Sequence, residues 1–270
     1  MNRTSQNRVI LIKLGGSVIT NKDIPMSLRR GTLKRLVAEI ARAKSERPET
    51  LFILGHGQGS FGHVPAAQYK TMQGFVNSES LMGMAIVQDI AAGLNRIVVR
   101  TLIEHGIPAV SLYASNSLVT RYKAPVSSYP DVFEEYLKKG LCPVTGGDVI
   151  VDRAQGCTIW STEEILSFFA REFLKRGWKV EQIVHAVEVD GVYDLQKRVV
   201  PEISQKNWPE VRKAITGPKG FDVTGGMLLK VQESLDMAKL GISSKILSGL
   251  KKDNLYNVLV NKSWKGTAIF

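Results

Sequence analysis

Val9-Ile-Leu-Ile-Lys13-Leu-Gly15-Gly16-Ser17 joins an apolar run to a glycine pair, with one lysine between them. The run from Val9 to Leu14 has the length and nearly continuous apolar character of a buried strand, and the paired glycines end it in a turn. The period then changes. From about Leu28 to Lys44, Leu33, Leu36, Ile40 and Ala43 recur at spacings of three and four, which predicts an amphipathic helix. Leu51–Leu54 is again a strand-length apolar run.

The alternation continues to the C-terminus. The clearest helix after a glycine-rich loop covers about Leu81 to Glu104, and Ala109–Leu112 reads as a strand behind the breaker Gly106-Ile-Pro108. Short strands are expected at Pro143-Val144 and Val149–Val151 around a turn at Gly146-Gly147, and Ala124 to Pro130 is expected to be a loop. A helix from about Glu163 to Arg176, a strand from about Gln182 to Val187, a helix over Thr224–Gly241, a strand at Lys245–Leu247 and a shorter apolar segment at Leu255–Val260 complete the pattern. Strands interleaved with helices imply an α/β fold with a mainly parallel sheet covered on both faces. Such sheets bind ligands beyond the carboxyl ends of their strands, so the residues after each strand matter most.

Composition narrows the function classes. The chain has 270 residues with 44% hydrophobic and 23% charged side chains, enough for one large α/β domain or two smaller ones, and 24 glycines with 10 prolines exclude a fibrous or low-complexity chain. A net charge of +11, from 36 Lys and Arg against 25 Asp and Glu, calls for an acidic partner. The cations are scattered in pairs such as Arg29-Arg30, Lys138-Lys139, Lys197-Arg198 and Lys251-Lys252, which favours an anionic small molecule over nucleic acid or a membrane surface. Cys142 and Cys157 fit neither a disulfide framework nor a CxxC motif and read as reduced thiols. The N-terminal apolar run is cut short by Lys13, without the apolar core of a signal peptide, and no stretch approaches the eighteen apolar residues of a membrane span. A cytoplasmic protein is expected.

The residues after the strands carry the chemistry. Gly15, Gly16 and Ser17 can aim backbone N–H groups at an anion, while Lys13 projects a cation into the same space; Lys22 can return to that pocket or stand in solvent. The second strand opens into Gly55-His-Gly57-Gln58-Gly59-Ser-Phe-Gly62-His63. Its Gly57-x-Gly59-x-x-Gly62 core matches the dinucleotide fingerprint only weakly, because His63-Val-Pro follows and Glu79 is a poor candidate for the ribose-binding acid. Two glycine loops after neighbouring strands instead suggest two phosphate nests facing each other, with His56 and His63 flanking the second. Gly146-Gly147-Asp148 and Ser161-Thr162-Glu163-Glu164 also follow strands; the latter is equally explained as a helix N-cap. Asp190-Gly191-Val192-Tyr193 reads first as a turn. In Asp222-Val-Thr224-Gly225-Gly226-Met-Leu-Leu-Lys230, a glycine pair opens a helix with a lysine one turn inside, a third arrangement suited to an anion. No P-loop sequence and no protein-kinase motif set occurs.

In this order the clusters resemble the amino acid kinase superfamily, and His63 narrows the resemblance to its isopentenyl phosphate kinase branch. The resemblance implies a three-layer αβα sandwich in which residues 1–155 bind the acceptor and form a homodimer interface and residues 156–270 hold ATP and Mg²⁺. It implies that Lys13 and Lys22 bridge the transferring phosphoryl group, that Lys230 holds ATP phosphates, and that Gly15, Gly16, Ser17 and Gly59 supply phosphate-facing backbone. His63 would bind the acceptor phosphate, with Gln58, Gly62, Gly147, Ser161 and Thr162 around the acceptor and Glu188, Asp190, Tyr193 and Gly226 around the nucleotide. No protein metal-ligand set is expected. For an isoprenoid acceptor, Phe75, Leu81, Met82, Met84, Ile86 and Val87 are candidates for an alkyl pocket, or equally for core packing. Three positions depart from the family pattern. Gln58 stands where glycine is usual, at a cost of about 1–2 kcal/mol if that residue must adopt φ > 0. Thr162-Glu163-Glu164 replaces Gly-Asp-Asp, lengthening the carboxylate that the resemblance expects to organise the lysines, and Glu188 replaces an aspartate. A fosfomycin-kinase-like enzyme, a dinucleotide-dependent enzyme and a catalytically silent nucleotide-binding regulator are the alternatives.

Overall fold

The computed structural model describes residues 7–216 and 226–270, except for the side chain of His63. The expected alternation is present. In chain order it runs β1 (Arg8–Leu14), α1 (Gly16–Ile19), α2 (Arg30–Glu46), β2 (Thr50–His56), α3 (His63–Gln68), α4 (Ser80–Glu104), β3 (Ala109–Ser111), β4 (Leu118–Arg121), β5 (Ala124–Ser128), α5 (Asp131–Lys138), β6 (Cys142–Gly146), β7 (Asp148–Asp152), β8 (Gly156–Trp160), α6 (Thr162–Lys175), β9 (Lys179–Val187), β10 (Glu202–Ile203), α7 (Trp208–Thr216), α8 (Gly226–Ala238), β11 (Ser243–Ser248), α9 (Asn254–Leu259) and β12 (Gly266–Ile269).

The central sheet has the order β10-β12-β11-β9-β1-β2-β6-β3, with every pair parallel except β11 with β12. β1 lies between β2 and β9 and is covered by helices on both faces, which is why its sequence is apolar without alternation. Its two faces serve different layers. Ile10, Ile12 and Leu14 pack with Leu36 and Ile40 of α2, Val98 of α4 and Leu255 of α9. Val9 and Leu11 pack with Phe133 of α5 and Phe169 and Phe173 of α6. A third cluster, including Val211 of α7, Val231 and Leu235 of α8 and Ile246 of β11, closes the far end.

A second sheet, β5-β4-β7-β8, stands beside the first. The segment expected to be a loop at Ala124–Pro130 is in part strand β5, paired antiparallel to β4. Every residue of β5 is exposed, so it carries none of the alternation that marks a half-buried strand. Leu255–Val260, an apolar segment of unassigned type, is largely helix α9. Helix α4 is the longest of the described helices. By length and composition it could cross a membrane, with a mean hydropathy of 1.3 over its most apolar window. Here its buried face, including Leu94, Asn95, Val98 and Leu102, packs on the domain core.

The boundary placed at residue 155 falls in the turn between β7 and β8, which pair as one hairpin. β1 from the first half pairs directly with β9 from the second, and the sheet continues across the division.

Candidate active site

Lys13 is the penultimate residue of β1 and faces α6, on the side of Val9 and Leu11. The sheet makes room for that helix at Gly55, which is in register with Lys13. A Cβ on Gly55 would lie 2.5 Å from Thr162 Cγ2 and 3.1 Å from Leu166 Cδ1, so a side chain there would push away the first turn of α6. That turn is fixed by a capping box: Ser161 Oγ accepts from the Glu164 amide at 3.2 Å, and Glu164 Oε2 accepts from the Ser161 amide at 2.6 Å. Thr162 Oγ1 adds a hydrogen bond to the carbonyl of His56 at 2.8 Å. These contacts place Glu163, the next residue, over Lys13.

The Glu163 carboxylate is shared. Lys13 Nζ pairs with its Oε2, and Lys230 Nζ, from α8, pairs with its Oε1. All three side chains are buried. Burial works against the Glu163 carboxylate, yet the ammonium groups of Lys13 and Lys230 hold it well below the usual carboxylate range. Burial lowers Lys13 to about 8; Glu163 opposes the shift and Lys230 adds to it. Two cations and one anion leave a formal excess of one positive charge at the carboxyl edge of the sheet.

The two glycine loops meet beside this cluster. Gly15 N donates to the carbonyl of Ala186 on β9 at 2.8 Å, and Gly57 N donates to the carbonyl of Leu14 at 2.9 Å. A Cβ on Gly16 would lie 2.5 Å from Gly59 N, and Gly59 itself has φ +50°. The loops therefore touch backbone to backbone, and glycine is what permits it. Thr20 ties them together: its hydroxyl donates to Gly16 O at 2.8 Å and accepts from Ser60 N at 3.1 Å. Gly16 and Ser17 begin α1, where the leading N–H groups have no partner within the helix.

Gln58 does not adopt a left-handed conformation, so the strain that its replacement of glycine would bring is not present. Its Nε2 donates to Gly147 O at 2.8 Å, bridging the β2 loop to the β6–β7 turn. Gly62 is close-packed against Gln58, whose Cβ would lie 2.6 Å from a Cβ at that position. His56 is an internal strut. Asn95 Nδ2 lies 3.1 Å from its Nε2, and burial lowers its pKa to about 4, which keeps the ring neutral. His63 opens α3; its side chain, like Asp222, Thr224 and Gly225, lies outside the described residues.

Lys22 differs from the expected arrangement of three lysines on one group. Its side chain is 62% exposed and pairs with Glu188 at 2.8 Å, just beyond β9, with Arg29 3.7 Å from the same carboxylate. Asp190 pairs with Lys251 at 2.9 Å, and its amide donates to the Tyr193 hydroxyl at 3.4 Å. Gly226 opens α8, the helix that carries Lys230.

The alkyl-pocket candidates are divided. Val87 is buried and Met84 half-buried in a small cluster with Val149 and Cys157, Phe75 lies against Gly156, and Leu81 and Met82 are 69% and 64% exposed. Cys142 and Cys157 are both free and buried, consistent with reduced thiols.

Residues 8–248 match the amino acid kinase family. The chain belongs to that family. Among its relatives, this amino acid kinase is 31% identical to an isopentenyl phosphate kinase of Methanocaldococcus jannaschii, covering 96% of this chain and 97% of that protein. It is 32% identical to an isopentenyl phosphate kinase of Methanothermobacter thermautotrophicus, covering 97% and 98%. A crystal structure of isopentenyl phosphate kinase superposes with a TM-score of 0.80 at 28% identity, covering 97% of this chain and all of that one. Within the amino acid kinases, the chain therefore belongs with the isopentenyl phosphate kinases.

One polar residue beside the lysines escapes motif reading. His185 lies in β9, in register with Lys13, and is 3% exposed. The available signal was an imidazole inside the otherwise apolar run Ile183–Val187.

Proposed function

We propose that this protein transfers the γ-phosphoryl group of ATP directly to the phosphate of isopentenyl phosphate, giving isopentenyl diphosphate and ADP. The observation that carries the reading is the pair of buried lysines, Lys13 and Lys230, held on Glu163 beside two touching glycine loops. The names of the relatives supply the acceptor.

An acceptor monophosphate has a second pKa of about 6, so near neutral pH its attacking oxygen is already deprotonated and needs no strong general base. The obstacle is repulsion between donor and acceptor. Each pair of unit charges at ~4 Å costs about 4 kcal/mol at an effective dielectric of 20. Lys13 and the backbone of Gly15, Gly16, Ser17 and Gly59 stabilise charge on the equatorial oxygens of the phosphoryl group in flight, and Lys230 holds the ATP phosphates. The acceptor oxygen forms its bond to the γ-phosphorus as the bond to the β,γ-bridging oxygen breaks, and that electron pair leaves on ADP.

Lys22 turns from Glu188 to reach the phosphoryl group. His63, Gln58, Gly62, Gly147, Ser161 and Thr162 surround the acceptor, and Glu188, Asp190, Tyr193 and Gly226 surround the nucleotide. Among the described residues no cluster of three or more His, Cys, Asp or Glu could hold a metal. Mg²⁺ would accompany the ATP phosphates beside Lys13 and Lys230, where it would neutralise part of their charge. We read the enzyme as a cytoplasmic protein and as a homodimer assembled through residues 1–155; light scattering at micromolar concentration, giving twice the 29.8 kDa chain mass, tests the dimer.

A coupled ADP-release assay against alkyl monophosphates, fosfomycin and amino acids tests the function. Turnover with isopentenyl phosphate well above the rest supports it; preference for fosfomycin or an amino acid contradicts it. Binding of NAD rather than ATP in calorimetry would favour a dinucleotide-dependent enzyme.

A further inference from the structure

His185 has a setting that its strand does not explain. In-register residues of parallel strands point to the same face, so Lys13, His185 and Ile246 share one. It is the face covered by α6 and α8, because Ile183 packs with the α6 aromatics and Ile246 with Val231 and Leu235 of α8. The ring thus stands in the layer that holds the shared carboxylate. Charged groups reach it from β1 as Lys13, from α6 as Glu163 and from α8 as Lys230, while its β11 neighbour Ile246 is apolar. On β2, Gly55 lies next to Lys13 and His56 points to the opposite face, toward Asn95 of α4.

The imidazole Nδ1 is buried without a hydrogen-bond partner, which buried polar atoms rarely tolerate. Burial lowers its pKa to about 3, with Lys230 adding to the shift, so the ring is neutral and offers a lone pair. Each ammonium ion has three donors, and pairing with Glu163 leaves Lys13 and Lys230 with others to place.

We propose that His185 is a positioning residue for the lysine pair: its neutral ring keeps the unpartnered Nδ1 in the layer of the shared carboxylate as a ready acceptor for an ammonium donor that Glu163 does not hold, standing in for lost water and keeping Lys13 cationic and aimed at the phosphate. This deepens the phosphoryl-transfer reading and rests on it for its kinetic consequence. The effect on the protonation of Lys13 does not depend on that reading.

The test uses the full chain labelled with ¹³C at lysine Cε, the Lys13 signal being identified by its loss in Lys13→Met. Its titration is followed in the wild type, His185→Leu and His185→Gln, with His185→Met as a second apolar variant should the leucine variant fail to fold. Removing the acceptor lowers the Lys13 midpoint by about one pH unit in the apolar variant, whereas glutamine, which restores an acceptor, holds it within about 0.3. The alkaline limb of kcat/KM for isopentenyl phosphate moves in parallel, giving a loss of about tenfold above that midpoint and under about twofold near pH 6.5. An unchanged midpoint in the apolar variant, or an equal displacement with glutamine, overturns the assignment. A displaced midpoint in an enzyme that does not turn over isopentenyl phosphate upholds the positioning role and instead refutes the substrate.

Discussion

Lys13 on β1 and Lys230 on α8 end on opposite oxygens of one buried carboxylate, Glu163. Residues near the two ends of the chain are thus brought to one charge, and without a phosphate that charge is what keeps the ammonium groups together. A phosphate entering beside them finds two cations whose desolvation and mutual approach are already offset by the fold.

Glu163→Gln leaves both ammonium groups buried without their counter-charge. Removing one side of a buried ion pair typically costs about 3–5 kcal/mol, and urea unfolding at neutral pH should show a loss of that size. ATP should restore more stability to the variant than to the wild type, because its phosphates supply the missing charge. A variant as stable as the wild type would mean that Glu163 does not carry the pair.

Stability should fall as pH falls from about 6.5 toward 3. His56 and His185 have folded-state values of about 4 and about 3, below the 6.5 of the free side chain, so the unfolded chain takes up protons first. Glu163 acts in the same direction: its contribution is full above its unfolded value near 4.5 and is lost as pH drops through its lower folded value. His56 alone accounts for roughly 3 kcal/mol across its window. Unfolding free energies measured by urea from pH 7 to 4 should flatten in His56→Gln; an unaltered slope would exclude this residue as a source.

Gly16→Ala should separate the two phosphate-facing loops, because the new Cβ would meet the Gly59 amide at 2.5 Å, on backbone that cannot yield without moving the loop. A displacement near 1 Å is worth about a hundredfold in rate, and kcat/KM for ATP should drop by about that factor. Gly31→Ala provides the contrast, since a Cβ there meets nothing within 4 Å on α2, and it should stabilise the fold by about 0.5–1 kcal/mol with activity intact. Equal activity in the two variants would remove the loop contact from the account.

Gln58→Gly recreates the glycine usual in the family. Gln58 has no left-handed strain to relieve and does have a 2.8 Å bond to Gly147 O to lose. The change should therefore destabilise by about 1 kcal/mol in urea titration. A gain in stability would show that the position prefers glycine.

The site was legible where its chemistry lies in consecutive residues. Lys13-x-Gly-Gly-Ser and the Gly57–Gly62 loop announce themselves because turns and phosphate contacts need particular residue types at particular spacings. The role of Glu163 came from the family resemblance and not from the residues themselves: the Ser161 capping box is a sufficient local reason for an acidic first turn, and packing on Gly55 shows how the longer carboxylate reaches both Lys13 and Lys230. Lys22 could not be placed from spacing, since an exposed side chain takes the nearest carboxylate, here Glu188. β5 escaped because both of its faces are in solvent, and His185 because a single polar residue in an apolar strand belongs to no motif.

Lys13→Met asks whether the buried lysine pair stabilises a phosphoryl group in transfer. The substitution leaves Glu163 paired with Lys230, so the fold should survive, and thermal melting confirms that before kinetics begin. Single-turnover transfer of labelled γ-phosphate from ATP to isopentenyl phosphate should slow by at least about 10²-fold, the size of losing one preorganised transition-state donor. Transfer at the wild-type rate in the folded variant would mean that Lys13 does not act on the phosphoryl group.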